Sequence, residues 1–329
     1  MSVCLSVCPF NHLSICLYIF FSSSILYPSI QPTLIHPSVH LSLSTHIHLV
    51  VHLSVLPSLS ICLLSFQPSP ICPSIPYPPT HITFSCASAP VTASPSPSPW
   101  PSLFKYVAEA TLFAKPTFAR LLALLDNYDK MTGHSETLTS EEEEEEEAFL
   151  EAVFQTPVMA TLTRFFLAKG LYPSADAFRA DLKDMWFGLY SRSSGAALDS
   201  SGFEHVFHGE IKKGTVSGCH SWVQLYELEK SGQLNYLSYS YDGPWAAFPD
   251  VLALQYRWSG YLKSIGSVFM GSSPEFDLAL YTLCYKARPD QQCHVSLGGK
   301  AAQIQTYSWT NSFYGDGQRF VASSYPMSP

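Results

Sequence analysis

No Lys, Arg, Asp or Glu occurs between Met1 and Trp100; the first charged side chain is Lys105. A folded domain needs charged or polar faces to define its surface, so this stretch does not read as an ordinary globular unit. It nevertheless carries six of the nine cysteines and seven of the twelve histidines. Val3-Cys4-Leu5-Ser6-Val7-Cys8 follows the four-residue cycle that a CTGT repeat encodes, and Ile35-His36-Pro37-Ser38 stands in the same relation to CATC. Residues 1–100 therefore read as translated simple-sequence DNA, disordered or a gene-model artefact. Leu13 to Leu26 is apolar enough for a signal core or anchor. It lacks a basic flank and falls short of the roughly 20 residues that span a bilayer, so no firm membrane signal is present. The cysteines show no CxxC spacing, and no metal-ligand set organises the histidines, whose HxxxH spacings at His36/His40 and His48/His52 fall within the repeat-like texture. Residues 88–101, rich in Pro and Ser, make an extended linker.

Residues 101–329 suffice for one α+β domain, with a mainly helical lobe (101–200) and a lobe rich in antiparallel sheet (201–329). Phe118 to Tyr128 has apolar residues at helical spacing. Glu141 to Glu147 is a run of repelling carboxylates. It reads as a solvated, partly disordered insertion whose end supplies the acidic first turn of a helix through Phe149, Leu150, Val153 and Phe154. Pro157 to Ala168 and Ala175 to Tyr190 are two further helices, separated by the Lys169–Pro173 stop signal.

Beyond Gly202 the segments become aromatic, glycine-punctuated and strand-like. Strand alternation in FEHVFHGEI puts Phe203, His205, Phe207 and Ile211 on one face and Glu204, His208 and Glu210 on the other. By itself His205 then reads as a core histidine and His208 as a polar-face residue. Ser221 to Lys230, followed by Ser231-Gly232, reads as a helix, leaving His220 at its N-terminus. There the helix dipole disfavours imidazolium, as suits a general base. The carboxylates of Glu204 and Glu210 favour the charged form of His205, as suits a general acid. Two imidazoles and an ammonium, here Lys263, suffice to move a phosphoryl group onto a neighbouring hydroxyl without a metal hydroxide or a protein nucleophile. The Gly209–Gly214 turn adds two cations, Lys212 and Lys213, as phosphate contacts.

FEHVFHGE, VSGCHSW, LKSIGS, GSSPEFDLALYTLC and the final SSYP, in this order, resemble the EndoU family of uridine-preferring endoribonucleases from about Leu103 onward. The resemblance implies His220 as general base, His205 as general acid and Lys263 as the cation that completes the triad. It implies Glu204 and Glu210 as supporting acidic positions tied to activity and manganese dependence, with the Mn2+ site unknown. Ser267 and Tyr325 fall where the family reads uracil, and Ser323 stands where relatives commonly carry Thr. The implied partner is single-stranded RNA containing uridine, cut to a 2′,3′-cyclic phosphate and a 5′-hydroxyl, with no cleavage of DNA, by a monomer. Family domains begin with residues upstream of Leu103, where this chain has the repeat-like tract. Cys284 and Cys293 flank a turn and could close a disulfide, leaving Cys219 unpaired. That spacing leans toward secretion, with a cytoplasmic enzyme as the alternative. Two other readings remain: an RNA-binding protein without turnover, and a metal-dependent phosphodiesterase using Glu204, His205, His208 and Glu210 as ligands.

Overall fold

A computed structural model describes residues 102–328, except 194, 244 and 246–248, together with strand β1 (Ile82–Phe84). The signal, repeat and linker readings within residues 1–100 otherwise lie outside the described residues. β1 pairs antiparallel with β2 (Phe104–Val107), so one short piece of the uncharged tract is joined to the domain.

The helical lobe follows: α1 (Glu109–Leu112), α2 (Pro116–Leu124), α3 (Ser140–Phe154), α4 (Pro157–Ala168) and α5 (Ala175–Phe187). α4 has the bounds that the sequence predicts; α2 and α5 stop earlier, at Leu124 and Phe187. Lys169 caps α4 and Gly170 follows with left-handed backbone, as the stop signal requires. The glutamate run departs from the solvated-insertion reading, because it is helical from Ser140. Thr139 and Glu142 form a reciprocal capping box that satisfies the first free N–H groups, and carboxylates in that turn oppose the positive end of the helix dipole. Phe149, Leu150 and Val153 then anchor α3 in the core.

The second lobe holds two sheets. The five-stranded sheet runs β3 (Glu210–Lys212), β4 (Thr215–Ser217), β7 (Tyr261–Met270), β6 (Asp250–Trp258), β5 (Leu234–Asp242). Its pairings are antiparallel apart from a parallel contact between β4 and β7. The three-stranded sheet is β10 (Gln318–Pro326), β9 (Lys300–Tyr314), β8 (Gln292–Leu297), antiparallel throughout. Two-residue turns at Lys213–Gly214, Ser259–Gly260 and Gly298–Gly299 close three of the hairpins with positive φ at both positions, matching the twist of the strands they join. Helix α6 (Trp222–Lys230) precedes β5, and α7 (Pro274–Ala287) lies between β7 and β8. Cys284 at the end of α7 is bridged to Cys293 on β8, and Cys219 is free and buried.

The FEHVFH segment is not the strand that its alternation predicts. Glu204–His208 forms a single π-helical turn, and strand pairing begins only at Glu210. Phe203 stacks on Phe207 at 4.6 Å and on Phe187 of α5 at 4.5 Å. An aromatic pair four residues apart is closed by a helical turn and splayed by a strand. Each buried ring contributes about 1.5–3 kcal/mol to folding. This stack fastens the turn to the helical lobe and sets the direction in which His205 leaves it.

Candidate active site

Two chain segments meet edge to edge here. The carbonyl of His205 accepts from the N–H of Cys219 at 2.9 Å, and that of Val206 accepts from the N–H of His220 at 2.6 Å. The approach requires glycine at position 218. A Cβ there would lie 1.9 Å from the His205 carbonyl oxygen, and φ is +69°. Cys219 also has positive φ, which a residue with a side chain adopts at a cost. The result is two buried imidazoles with ring centroids 6.3 Å apart.

Each imidazole is oriented through Nδ1 by a different partner. His220 Nδ1 lies 2.8 Å from the carbonyl oxygen of Ser267. A carbonyl only accepts, so the proton is on Nδ1 and Nε2 carries the lone pair. His205 Nδ1 lies 3.3 Å from Oε2 of Glu210, a carboxylate. Glu210 is fully buried and is held by Arg192 Nε at 3.2 Å and by the hydroxyl of Ser200. Burial alone would raise its pKa, but Arg192 and His205 outweigh it and hold the carboxyl below the usual range. Arg192 in turn donates to the Ala322 carbonyl at 2.8 Å and to the Tyr190 hydroxyl, and lies over the Trp309 ring.

Burial is the main cause of both histidine shifts. His205 falls to about 4, with Arg192 adding to burial and Glu210 only partly opposing it. His220 falls well below its ordinary value through burial, then Lys263 and His205. Helix α6 does begin just after His220, with Ser221 at its N-cap. The neutral state expected of His220 therefore holds, though desolvation accounts for it first. The charged state expected of His205 does not hold in the free protein. What distinguishes the pair is the partner: a carboxylate behind His205 stabilises an imidazolium more than the carbonyl behind His220 does.

Lys263 on β7 is buried and donates to the Gly218 carbonyl at 2.6 Å, on the loop that carries His220. Desolvation lowers its pKa to about 8. A Cβ at Gly266 would come within 2.7 Å of Lys263 Cε, so this strand too leaves room for the side chain. Tyr325 on β10 stacks on His220 at 4.6 Å with planes 16° apart. The Ser267 hydroxyl donates to the Pro326 carbonyl, tying β7 to β10. The buried Ser323 hydroxyl has no hydrogen-bond partner. His205, His220, Lys263, Ser267 and Tyr325 are thus linked directly or through one residue.

Three expectations need correction. His208 is buried between Tyr128 and Trp258, at 5.6 and 5.5 Å, and is not a polar-face residue. Glu204 is fully buried with neither oxygen hydrogen-bonded to a protein group, and burial with Glu210 nearby raises its pKa and favours the neutral form. Lys212 of the Gly209–Gly214 turn lies over Trp309, leaving Lys213 as the more solvated cation. Arg192, Ser200 and Gly218 carry functions that the sequence reading missed. Arg192 stands in the serine-rich connection between α5 and the His205 turn, where no spacing or motif marks it as a partner of Glu210.

A buried pair of imidazoles, each held through Nδ1, stands beside an ammonium and a facing tyrosine, a set of groups suited to general acid–base chemistry. The sequence pattern of the Endoribonuclease XendoU family matches residues 77–326, and the chain belongs to that family. It is 63% identical over 225 residues to Uridylate-specific endoribonuclease C of Xenopus laevis, covering 68% of this chain and 74% of that protein. The human Uridylate-specific endoribonuclease is 50% identical over 226 residues, 69% of this chain and 55% of that protein. The solved structure of XendoU, described as a splicing-independent snoRNA-processing endoribonuclease, aligns with a TM-score of 0.56 at 36% identity. That alignment covers 68% of this chain and 82% of that one.

Proposed function

We propose that this chain is an endoribonuclease that cleaves single-stranded RNA at uridylates, leaving a 2′,3′-cyclic phosphate and a 5′-hydroxyl. The observation that carries the reading is the Nδ1 partnering of His220, which leaves Nε2 as a lone-pair base in a buried site beside Lys263. His220 takes the proton of the ribose 2′-hydroxyl as that oxygen attacks phosphorus, and the bond from phosphorus to the 5′-oxygen breaks. Lys263 holds the charge that builds on the phosphoryl oxygens. His205, protonated once the RNA phosphate brings its anion into the site and backed by Glu210, gives a proton to the departing 5′-oxygen.

Uracil selection follows from the Ser267 hydroxyl. Its proton is committed to Pro326, so the oxygen offers a lone pair. Uracil N3 carries a hydrogen to meet it, whereas cytosine N3 presents a second lone pair. Tyr325 supplies the stacking face, and the Ser323 hydroxyl, buried without a hydrogen-bond partner, lies two residues before it on the same strand.

Among the described residues no three His, Cys, Asp or Glu side chains group as a metal site. Glu210 is committed to Arg192, Ser200 and His205, and the buried Glu204 carboxyl has its pKa raised by burial, which disfavours the anion that a metal would need. These residues do not fit a resident manganese ion, and no step is routed through one; stimulation by manganese would act on the RNA phosphates. The same geometry speaks against the four-ligand hydrolase, because His208 lies against Tyr128 and Trp258. The Cys284–Cys293 bridge supports secretion.

The test is an oligonucleotide with one uridine, compared with the same strand carrying 2′-deoxyuridine there. Cleavage of the first to a cyclic phosphate and none of the second is expected. Cleavage of both, or a 3′-hydroxyl product, would overturn the mechanism.

A further inference from the structure

Tyr307 on β9 stands next to the site and has no part in the reaction above. It is 43% exposed, and its ring lies 6.4 Å from that of Tyr325 with planes 33° apart. Register explains the proximity. Ser323 pairs with Tyr307 and Tyr325 with Gln305, so the two tyrosines are diagonal neighbours on one face of the three-stranded sheet. His220, Tyr325 and Tyr307 therefore form a series of rings that begins at the buried base and ends in solvent.

The exposure of Tyr307 is unusual for its setting. Its neighbours in the strand, Thr306 and Ser308, are buried, and Ile304 and Gln305 are buried before them. Other exposed aromatic rings, such as Tyr106 and Phe313, lie on β2 and near the β9–β10 turn and make no ring contact with Tyr325. An aromatic ring left open beside a base-reading tyrosine is what unpaired bases use, because every base has a face to stack.

We propose that Tyr307 is a second stacking platform, holding the base of a nucleotide directly adjacent to the scissile uridylate. This rests on the endoribonuclease reading. With the uridine against Tyr325, the next base of an extended strand reaches Tyr307 without a change of sheet face. The platform is tolerant of sequence, since stacking reads no base edge, and it makes substrates longer than a single nucleotide better than minimal ones.

The test compares the unmodified protein, Tyr307→Ala and Tyr307→Phe on three oligonucleotides. One has bases on both sides of a single uridine; the others are abasic at the 5′ or the 3′ neighbour. Tyr307→Ala is expected to lose about tenfold in kcat/KM, mainly through KM, on the fully based strand. Its deficit should vanish on one of the two abasic strands, which identifies the side, while Tyr307→Phe stays near the unmodified protein. An equal deficit on all three strands would mean that Tyr307 only steadies Tyr325, and no deficit on any would mean that it is idle; either overturns the platform. Failure of the unmodified protein to cleave any strand overturns the endoribonuclease reading itself, and so is distinguishable from failure of the platform alone.

Discussion

At Gly218 a hydrogen in place of a side chain decides whether the two histidines meet. Gly218→Ala forces a Cβ to within 1.9 Å of the His205 carbonyl and strains a left-handed backbone. It should cost about 2 kcal/mol or more in stability. Displacing one imidazole should also lower kcat at least about a hundredfold; thermal unfolding and cleavage rates on one preparation check both. His208 gives a prediction of the opposite kind. Its pKa falls to about 4 through burial, so the unfolded chain takes up its proton first as pH falls. Stability present above the ordinary value of 6.5 is then lost as pH falls toward 4. His208→Phe keeps a ring between Tyr128 and Trp258, and should make that acid limb of the unfolding curve shallower by one histidine's share, His205 and His220 supplying the rest, with cleavage unchanged. At this scale the sequence was generous. His205, His220, Lys263, Ser267 and Tyr325 all fell in recognisable motifs and all converge. Arg192 was illegible because its partners Glu210 and Ala322 are distant in sequence, and a buried cation in SRSSGAALDS looks like any loop residue.

Elements were harder to read where two periods fit the same residues. Phe203, His205 and Phe207 satisfy a strand's alternation, yet Phe203 and Phe207 also satisfy helical spacing, and packing against Phe187 selected the turn. The glutamate run posed the reverse problem, since repulsion argued against order while the cap at Thr139 and the apolar residues after Ala148 argued for a helix. The cap and the core anchor win, and the helix carries one glutamate inward. Glu146 is buried, and desolvation with neighbouring glutamates raises its pKa to about 7, Lys183 opposing. A carboxyl raised in the fold favours folding below its ordinary value of 4.5, and that contribution is lost as pH rises through 7. Glu146→Gln should therefore raise Tm by about 2–4 °C at pH 8 and leave it unchanged at pH 4. Equal stabilisation at both pH values would mean that folding leaves the pKa of Glu146 unshifted.

The whole molecule joins a helical lobe to a two-sheet lobe through the Phe187–Phe203–Phe207 stack, with the turn that carries His205 directly at that junction. α+β class and lobe order were legible because helical and strand periods occupy separate stretches of chain. The relative placement of the two sheets was not, because it depends on contacts such as Ser267 with Pro326, 59 residues apart. The Cys284–Cys293 bridge closes a short loop, and replacing both cysteines with Ser should cost about 2–3 kcal/mol, read by denaturant unfolding. A fragment beginning at residue 77, where the family match starts, should cleave uridine-containing RNA at the full-length rate. The central claim is the division of labour between His220 and His205, and substituting sulfur for the bridging 5′-oxygen tests it most directly. A thiolate leaves without needing a proton. On that substrate the account predicts that His205→Ala recovers to within about tenfold of the unmodified protein, while His220→Ala stays impaired by about a hundredfold or more. Rescue of His220→Ala instead, or of neither variant, would contradict it.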